Sequence, residues 1–220
     1  MSTAICVVSG GLDSTTLMYH LRDLGYELKG ISVDYGQRHG RRELAAAAEI
    51  CSRLGIEHRT LDLTSLVDFL GKNSLSDASL AVPEGPYEPV TMQLTTVPNR
   101  NMILLAVGIA WAVSLRYDAV AFGVHSGLYT PYPDCRPEFA EAMNAVAQRC
   151  DWNKIEILAP FVDWNKGDIV RRGVELGVPF ELTWSCYQGL ELPCGKCGTC
   201  IDRKEAFAHC GLVDPLEYGP

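Results

Sequence analysis

The chain has 220 residues, of which 47% are hydrophobic and 21% charged, so its composition is that of an ordinary folded protein. Lysine and arginine number 19 against 27 aspartates and glutamates, and the net charge of −8 argues against a stable nucleic-acid partner or an anionic membrane surface. The longest apolar stretch, Met102–Val113, is shorter than the about 20 residues that span a bilayer, and residues 1–11 lack a secretory pattern. We therefore expect a cytoplasmic protein with no membrane partner.

The first part of the chain alternates short apolar runs with segments of helical periodicity. Ala4–Val8 is apolar and β-branched and ends in two glycines, which predicts a buried strand followed by a tight turn. The elements predicted next are a helix at Thr15–Leu24, a strand at Leu28–Val33, a helix at Arg41–Leu54 and a strand at His58–Leu63.

The alternation pauses at Lys72–Thr96, which is rich in Ser, Pro, Gly and Glu and shows no periodicity. This segment is predicted to be a mobile loop or lid, or else a plain surface insertion. The elements predicted after it are helices at Arg100–Leu115, Glu138–Arg149 and Lys166–Leu176 and strands at Ala119–Val124 and Ile155–Leu158.

Strands that alternate with helices predict a parallel sheet with right-handed crossovers. We interpret residues 1–182 as one α/β domain with a doubly wound, Rossmann-like parallel sheet. Residues 183–220 are predicted to form a cysteine-rich, metal-binding segment packed on that domain.

The turn after the first predicted strand has the composition of a phosphate-binding loop. Its residues are Ser9, Gly10, Gly11, Leu12, Asp13 and Ser14. Glycines allow successive backbone N–H groups to point into one concavity, and the following helix N-terminus favours an anion. Asp13 could hold a cation that bridges phosphate oxygens. The alternative is a plain turn in which Ser14 caps the helix.

This Ser-Gly-Gly-x-Asp-Ser loop resembles that of the ATP pyrophosphatases, which have an adenine nucleotide alpha hydrolase-like fold. The resemblance implies cleavage of ATP to AMP and pyrophosphate, with a substrate oxygen attacking the α-phosphate to form an adenylate. It assigns pyrophosphate binding to Ser9, Gly11, Asp13 and Ser14, with Mg²⁺ as the expected counterion.

Two further polar loops follow predicted strands, at the sheet edge where α/β proteins bind ligands. One is Asp34–His39, and the other is His125–Arg136, whose aromatic residues, Asp134 and Arg136 could hold a flat polar heterocycle and a phosphate. Solvated or proline-stiffened surface turns are the alternatives.

Nine cysteines occupy positions 6, 51, 135, 150, 186, 194, 197, 200 and 210, an odd number concentrated near residue 200. Four of them, Cys186, Cys194, Cys197 and Cys200, have the spacing C-x7-C-x2-C-x2-C. Four thiolates can close a tetrahedron around a structural Zn²⁺. An iron–sulfur cluster or two disulfides are the alternatives.

The chain also contains the segments Val97–Asn101, Tyr132–Phe139 and Leu182–Cys186. Together with the polar loops and the cysteines, these segments occur in the order found in the QueC family. The chain resembles the 7-cyano-7-deazaguanine synthases of that family over nearly its whole length. The resemblance implies that 7-carboxy-7-deazaguanine is adenylated, captured by ammonia as an amide, activated again and dehydrated to the nitrile. It also implies a homodimer that uses ATP, Mg²⁺ and structural Zn²⁺.

The resemblance implies a set of site residues in four groups. Catalytic roles fall to Asp13, Ser14, Arg136 and Lys166. Nucleotide binding falls to residues 9–14 together with Asp34 and Arg100. Substrate binding falls to His125, Leu128, Tyr129, Tyr132, Asp134 and Arg136. Metal binding falls to the four cysteines.

One position departs from the family pattern, because Leu128 stands where an acidic residue is usual. A leucine cannot bind or deprotonate ammonium. This suggests an alternative reaction, in which the activated acid is joined to another amine, such as a peptide or protein amine. A second alternative is a nucleotide binder without catalytic activity.

Overall fold

The molecule is built on five parallel strands, and the computed structural model describes residues 1–125 and 132–220. The strands are β1 Thr3–Val7, β2 Glu27–Asp34, β3 His58–Asp62, β4 Ala119–Ala121 and β5 Glu156–Leu158. The helices are α1 Leu12–Asp23, α2 Gly40–Leu54, α3 Pro89–Leu94, α4 Arg100–Leu115, α5 Pro137–Ala147, α6 Lys166–Glu175 and α7 Gly198–His209. The sheet order is β3-β2-β1-β4-β5. The predicted doubly wound parallel sheet is therefore confirmed.

Helices cover both faces of the sheet, as the alternation along β1 shows. Ala4 and Cys6 belong to the core shared with α1, α2, α6 and α7, whereas Ile5 lies in the core shared with α4 and α5. Successive side chains of a strand point to opposite faces, so a strand buried on both faces is apolar throughout. Within the part of the chain that the structure describes, no helix is long and apolar enough to cross a membrane.

The predicted strands and helices differ from the observed ones mainly at the ends that border the candidate functional site. Helix α1 begins at Leu12 rather than Thr15, because Gly11 is extended and serves as its N-cap. Strand β4 ends at Ala121 rather than Val124. The chain leaves the ladder there and brings Gly123 against the first turn of α1.

The segment Lys72–Thr96 is packed against the rest of the molecule and contains a helix that the sequence did not reveal. Leu75 is fully buried and Val82 is 4% exposed. Helix α3 begins with Pro89, and the N–H of Glu88 donates to Thr91 Oγ1. Six residues are too few to show a helical period, which explains why this helix was missed.

Arg203 of α7 attaches the C-terminal segment to the main domain. Its side chain is 1% exposed and forms a bidentate ion pair with Asp214, at 2.7 and 3.0 Å. It also donates to Thr183 Oγ1 at 2.6 Å and to the carbonyl of Phe180 at 2.9 Å. This one guanidinium therefore joins three chain segments. The domain division at residue 182 stays a prediction.

The substitution Arg203→Ala is expected to lower the free energy of unfolding by about 3–5 kcal/mol, because it leaves Asp214 buried and unpaired. Arg171→Ala is the control, since its pair with Asp168 is exposed and contributes about 1 kcal/mol or less. Urea unfolding of the two variants measures the difference. Equal losses in both would contradict the role given to Arg203.

Candidate functional site

A cavity of about 260 Å³ opens at the carboxyl ends of β1, β2 and β4. This is the switch point of the sheet, where the chain runs to one side from β1 and to the other from β4. Val8, Val33 and Val124 come from the three strand ends and form part of its wall. The loops after these strands therefore converge on one site, as predicted.

The loop after β1 is closed by its own serines. Ser14 Oγ accepts from the N–H of Ser9 at 3.2 Å and lies 3.1 Å from Ser9 Oγ. Gly10 has φ +71°, and a Cβ there would lie 2.5 Å from the carbonyl oxygen of Glu43. Glycine is therefore required at this position for both its conformation and its size.

A second glycine brings the loop after β4 against the first. A Cβ on Gly123 would lie 3.1 Å from both the carbonyl carbon of Asp13 and the backbone nitrogen of Ser14. The close approach places His125 beside Asp13, with His125 Nε2 3.9 Å from Asp13 Oδ2. Burial lowers the pKa of His125 below its ordinary value, although the charge of Asp13 opposes the shift.

A buried lysine lies between two carboxylates at this end of the cavity. Lys166 Nζ is 2.8 Å from Asp202 Oδ2 and 3.4 Å from Asp13 Oδ2, and the side chains of Lys166 and Asp202 are each 9% exposed. Burial alone lowers the pKa of Lys166, but the two carboxylates raise it above its ordinary value, so it stays charged. The other oxygen of Asp13, Oδ1, is buried and has no partner among the described residues.

Aromatic side chains form the other end of the cavity. The hydroxyl oxygens of Tyr87 and Tyr187 are hydrogen-bonded at 2.9 Å, and Tyr132 OH lies 2.7 Å from Thr95 Oγ1. Burial raises the pKa of Tyr35 to about 12, so its hydroxyl is neutral at pH 7. Tyr87 comes from the packed segment Lys72–Thr96, which thus supplies part of the cavity wall.

Arg100 also lines the cavity, at the start of α4. No carboxylate oxygen of the described residues lies within 4.0 Å of its guanidinium, whereas Arg203 and Arg172 have such partners. Burial alone lowers the pKa of Arg100, but Tyr35 and Cys135 outweigh this and raise it above its ordinary value. The aromatic end therefore carries a positive charge that a ligand carboxylate or phosphate can meet.

The predicted site residues fall into three groups. Those that line the cavity are Ser9, Gly11, Leu12, Asp13, Ser14, Arg100, His125, Tyr132 and Lys166. Those that lie near it without forming its wall are Gly10, Asp34, Asp134 and the exposed Arg136. Leu128 and Tyr129 lie outside the described residues.

Several cavity residues were not foreseen, among them Tyr87, Tyr187, Glu43 and Asp202. Asp202 follows the cysteine cluster by two positions, and it meets a lysine 36 residues away. A contact across that distance leaves no periodic or local signal in one sequence. The opposite charges of Lys166 and Asp202 were the only available sign.

The four predicted cysteines come together at one point. Their sulfur atoms all lie within 4.8 Å of one another. Two backbone N–H groups donate to Cys186 Sγ, from Gln188 at 3.4 Å and from Cys194 at 3.3 Å. Tetrahedral zinc with bonds of about 2.3 Å needs such neighbouring sulfurs, and N–H donors stabilise thiolate charge. The cluster is therefore suited to a metal ion.

The cysteine cluster, which we call the knuckle (residues 186–200), also contacts the cavity wall. The N–H of Gly85 donates to the carbonyl of Lys196 at 2.8 Å, and Glu84 pairs with Cys197 in an antiparallel bridge. Just before the knuckle in the chain, the N–H of Trp184 donates to the carbonyl of Gly10 at 2.9 Å. The knuckle thus connects the phosphate-loop end and the aromatic end.

A family model described as "Queuosine biosynthesis protein QueC" matches residues 3–211. The chain belongs to the QueC family. A relative from Caldicellulosiruptor bescii, named 7-cyano-7-deazaguanine synthase, is 47% identical over 98% of this chain and 96% of its own. One from Methanoregula boonei with the same name is 45% identical over 99% of each chain.

Solved structures with a related fold are much more distant from this QueC family member. NMN synthetase from Francisella tularensis is 16% identical with a TM-score of 0.52, over 95% of this chain and 77% of that one. A 4-thiouridine synthetase solved with RNA and ATP is 16% identical with a TM-score of 0.54, over 82% and 42%. These likenesses show the adenine nucleotide alpha hydrolase-like fold alone.

Proposed function

We propose that this protein is a 7-cyano-7-deazaguanine synthase, an ATP-dependent ligase that converts 7-carboxy-7-deazaguanine and ammonia to the nitrile. The observation that carries the proposal is a single cavity with a phosphate-type loop at one end and tyrosines with Arg100 at the other, where no carboxylate of the described residues lies within 4.0 Å of the guanidinium. Full-length relatives that carry this enzyme's name support it. No other function is favoured by a specific feature of the described residues.

The phosphate end is suited to hold pyrophosphate as a leaving group. Backbone N–H groups of the first turn of α1 and the hydroxyls of Ser9 and Ser14 would meet the β- and γ-phosphates, with Lys166 beside them. The unpartnered Oδ1 of Asp13 fits a Mg²⁺ ligand, and Mg²⁺ when bound would neutralise charge on the phosphate oxygens.

The aromatic end is suited to the deazapurine acid. Flat rings and neutral hydroxyls of Tyr35, Tyr132 and Tyr187 match a planar heterocycle with polar edges, and Arg100 offers a counter-charge to its carboxylate. The carboxylate oxygen attacks the α-phosphorus, and the bond to the β-phosphate breaks, giving an acyl adenylate and pyrophosphate. Ammonia then displaces AMP.

The knuckle is proposed to hold Zn²⁺ for structure. Four thiolates complete a tetrahedron and leave no position for water or substrate. The metal would hold the chain segments that carry Glu84, Trp184 and α7 in place around the cavity. We further propose that the enzyme works in the cytoplasm as a homodimer.

The test is to incubate the purified protein with 7-carboxy-7-deazaguanine, ATP, Mg²⁺ and ammonium chloride, and to analyse the products by mass spectrometry. We expect the nitrile, together with two AMP and two pyrophosphate for each nitrile. ATP binding without AMP release would overturn the proposal. A product that stops at an amide, or that forms only with another amine from cell extract, would do so too.

A further inference from the structure

Three carboxylates among the described residues face the cavity, and only one of them has no cationic lysine or arginine partner. Asp13 and Asp202 both face Lys166. The third is Glu43 of α2, whose side chain is 18% exposed. Within the described residues, no lysine or arginine nitrogen lies within 4.0 Å of its carboxylate. A negative charge is therefore available in the cavity for a cationic ligand.

Glu43 lies between the two ends of the cavity. Its backbone carbonyl packs directly on Gly10 of the phosphate loop, at a distance that excludes any Cβ there. Besides burial, the charge of Glu43 raises the pKa of Tyr35, which lies on the aromatic side. The carbonyl of an acyl adenylate must lie at this junction, because its two halves are the nucleotide phosphate and the deazapurine ring.

The polar neighbours of Glu43 hold it loosely and include a buried imidazole. Oε1 is 3.5 Å from His39 Nε2, and Oε2 accepts from Gln37 Nε2 at 3.4 Å. His39 is 2% exposed, its ring stacks at an angle on Tyr187 with centroids 5.5 Å apart, and its Nδ1 has no partner among the described residues. Contacts this long leave the carboxylate oxygens free to accept a stronger hydrogen bond.

We propose that Glu43 is the group that binds ammonium and acts as the general base of the nitrogen-transfer steps, an inference that rests on the proposed function. Ammonium gives one proton to the Glu43 carboxylate, and the freed nitrogen lone pair attacks the acyl carbon. The bond from that carbon to the AMP oxygen breaks, AMP leaves with the electron pair, and the nitrogen loses a second proton to the departing AMP phosphate to give the amide.

The same base serves the dehydration. When the amide oxygen attacks the α-phosphorus of a second ATP, pyrophosphate leaves with one of the two nitrogen protons, and the other proton must still be removed. Glu43 takes an N–H proton as the carbon–oxygen bond breaks, and the electrons form the carbon–nitrogen triple bond while AMP departs.

The experiment separates adenylation from nitrogen transfer in the Glu43→Gln variant. Acid-dependent exchange of labelled pyrophosphate into ATP measures adenylation and needs no ammonia. We expect exchange to stay within about twofold of the unchanged protein, and amide formation to fall by about 10²–10⁴-fold, the usual contribution of a general base. Glu43→Asp keeps the charge and is expected to lose less, about tenfold, and it provides the test if the glutamine variant does not fold.

Glu49→Gln is the matched control, because Glu49 is on the same helix but exposed and paired with Arg53. It should leave both measurements unchanged. Parallel loss of exchange and amide formation in Glu43→Gln would overturn the inference in favour of a Mg²⁺ or phosphate role. Unchanged amide formation would overturn it as well. Absence of acid-dependent exchange in the unchanged protein is instead the failure of the proposed function.

Discussion

Replacing Lys166 by methionine is expected to lower the rate of acid-dependent ATP–pyrophosphate exchange by at least about 10²–10³-fold and the free energy of unfolding by about 3–5 kcal/mol. The ammonium group of Lys166 lies 2.8 Å from Asp202 Oδ2 and 3.4 Å from Asp13 Oδ2. Little of Lys166 or Asp202 is accessible to water. Its removal leaves the buried carboxylate of Asp202 and the partly exposed carboxylate of Asp13 without this counter-charge. It also removes the positive charge beside the expected phosphates.

The two effects can be separated with the double variant Lys166→Met, Asp202→Leu. A buried ion pair replaced by apolar groups of similar volume is often neutral in stability, so unfolding in urea should return to within about 1–2 kcal/mol of the original. Exchange activity should stay low, because the cation is still missing. Recovery of activity along with stability would mean that Lys166 acts only in folding.

The substitution Cys197→Ser is expected to abolish binding of the proposed zinc and to destabilise the protein by more than about 4 kcal/mol. Cys197 is one of four sulfurs that meet at the knuckle, and its backbone also pairs with Glu84. A structural metal contributes directly to folding, since the unfolded chain does not bind it in the same way. Elemental analysis for zinc and thermal unfolding measure the two losses.

Cys150→Ser provides the matched control, because this exposed cysteine lies far from the knuckle in sequence and outside the set of clustered sulfurs. It should keep one zinc per chain and the original melting temperature. A Cys197→Ser protein with unchanged melting behaviour that loses only activity would contradict a structural role. Such a result would point to a metal that acts directly in the reaction.

Regular structure with a clear period was predictable from the sequence. Helix α4 occupies the predicted span of Arg100–Leu115, because its mostly apolar run of 16 residues is too long for a strand. The phosphate-type loop and the four cysteines were predictable as well, since each depends on residue types at fixed spacing. Helix α3 was not predictable, because six residues are too few to show a helical period. The end of β4 was not predictable either, because the packing of Gly123 on α1 decides it.

The rest of the cavity could not be predicted, for a physical reason that Glu43 and Asp202 illustrate. Both lie in segments that were correctly expected to be helical or metal-binding, and both carry charges that are ordinary on a solvated surface. Glu43 faces the cavity because the start of α2 packs on Gly10. Asp202 does so because the knuckle places α7 beside Lys166. A single sequence does not show which residues far apart in the chain meet at the cavity.

The hydrogen bond from Trp184 to Gly10 has a consequence for the order of events during synthesis. Because synthesis runs from the N-terminus, the phosphate loop leaves the ribosome well before Trp184 and Asp202 do. Contacts between such distant positions form late in folding. A nascent chain therefore carries the loop without its partners, and the proposed nucleotide site is complete only when the segment with Trp184 and Asp202 has been made.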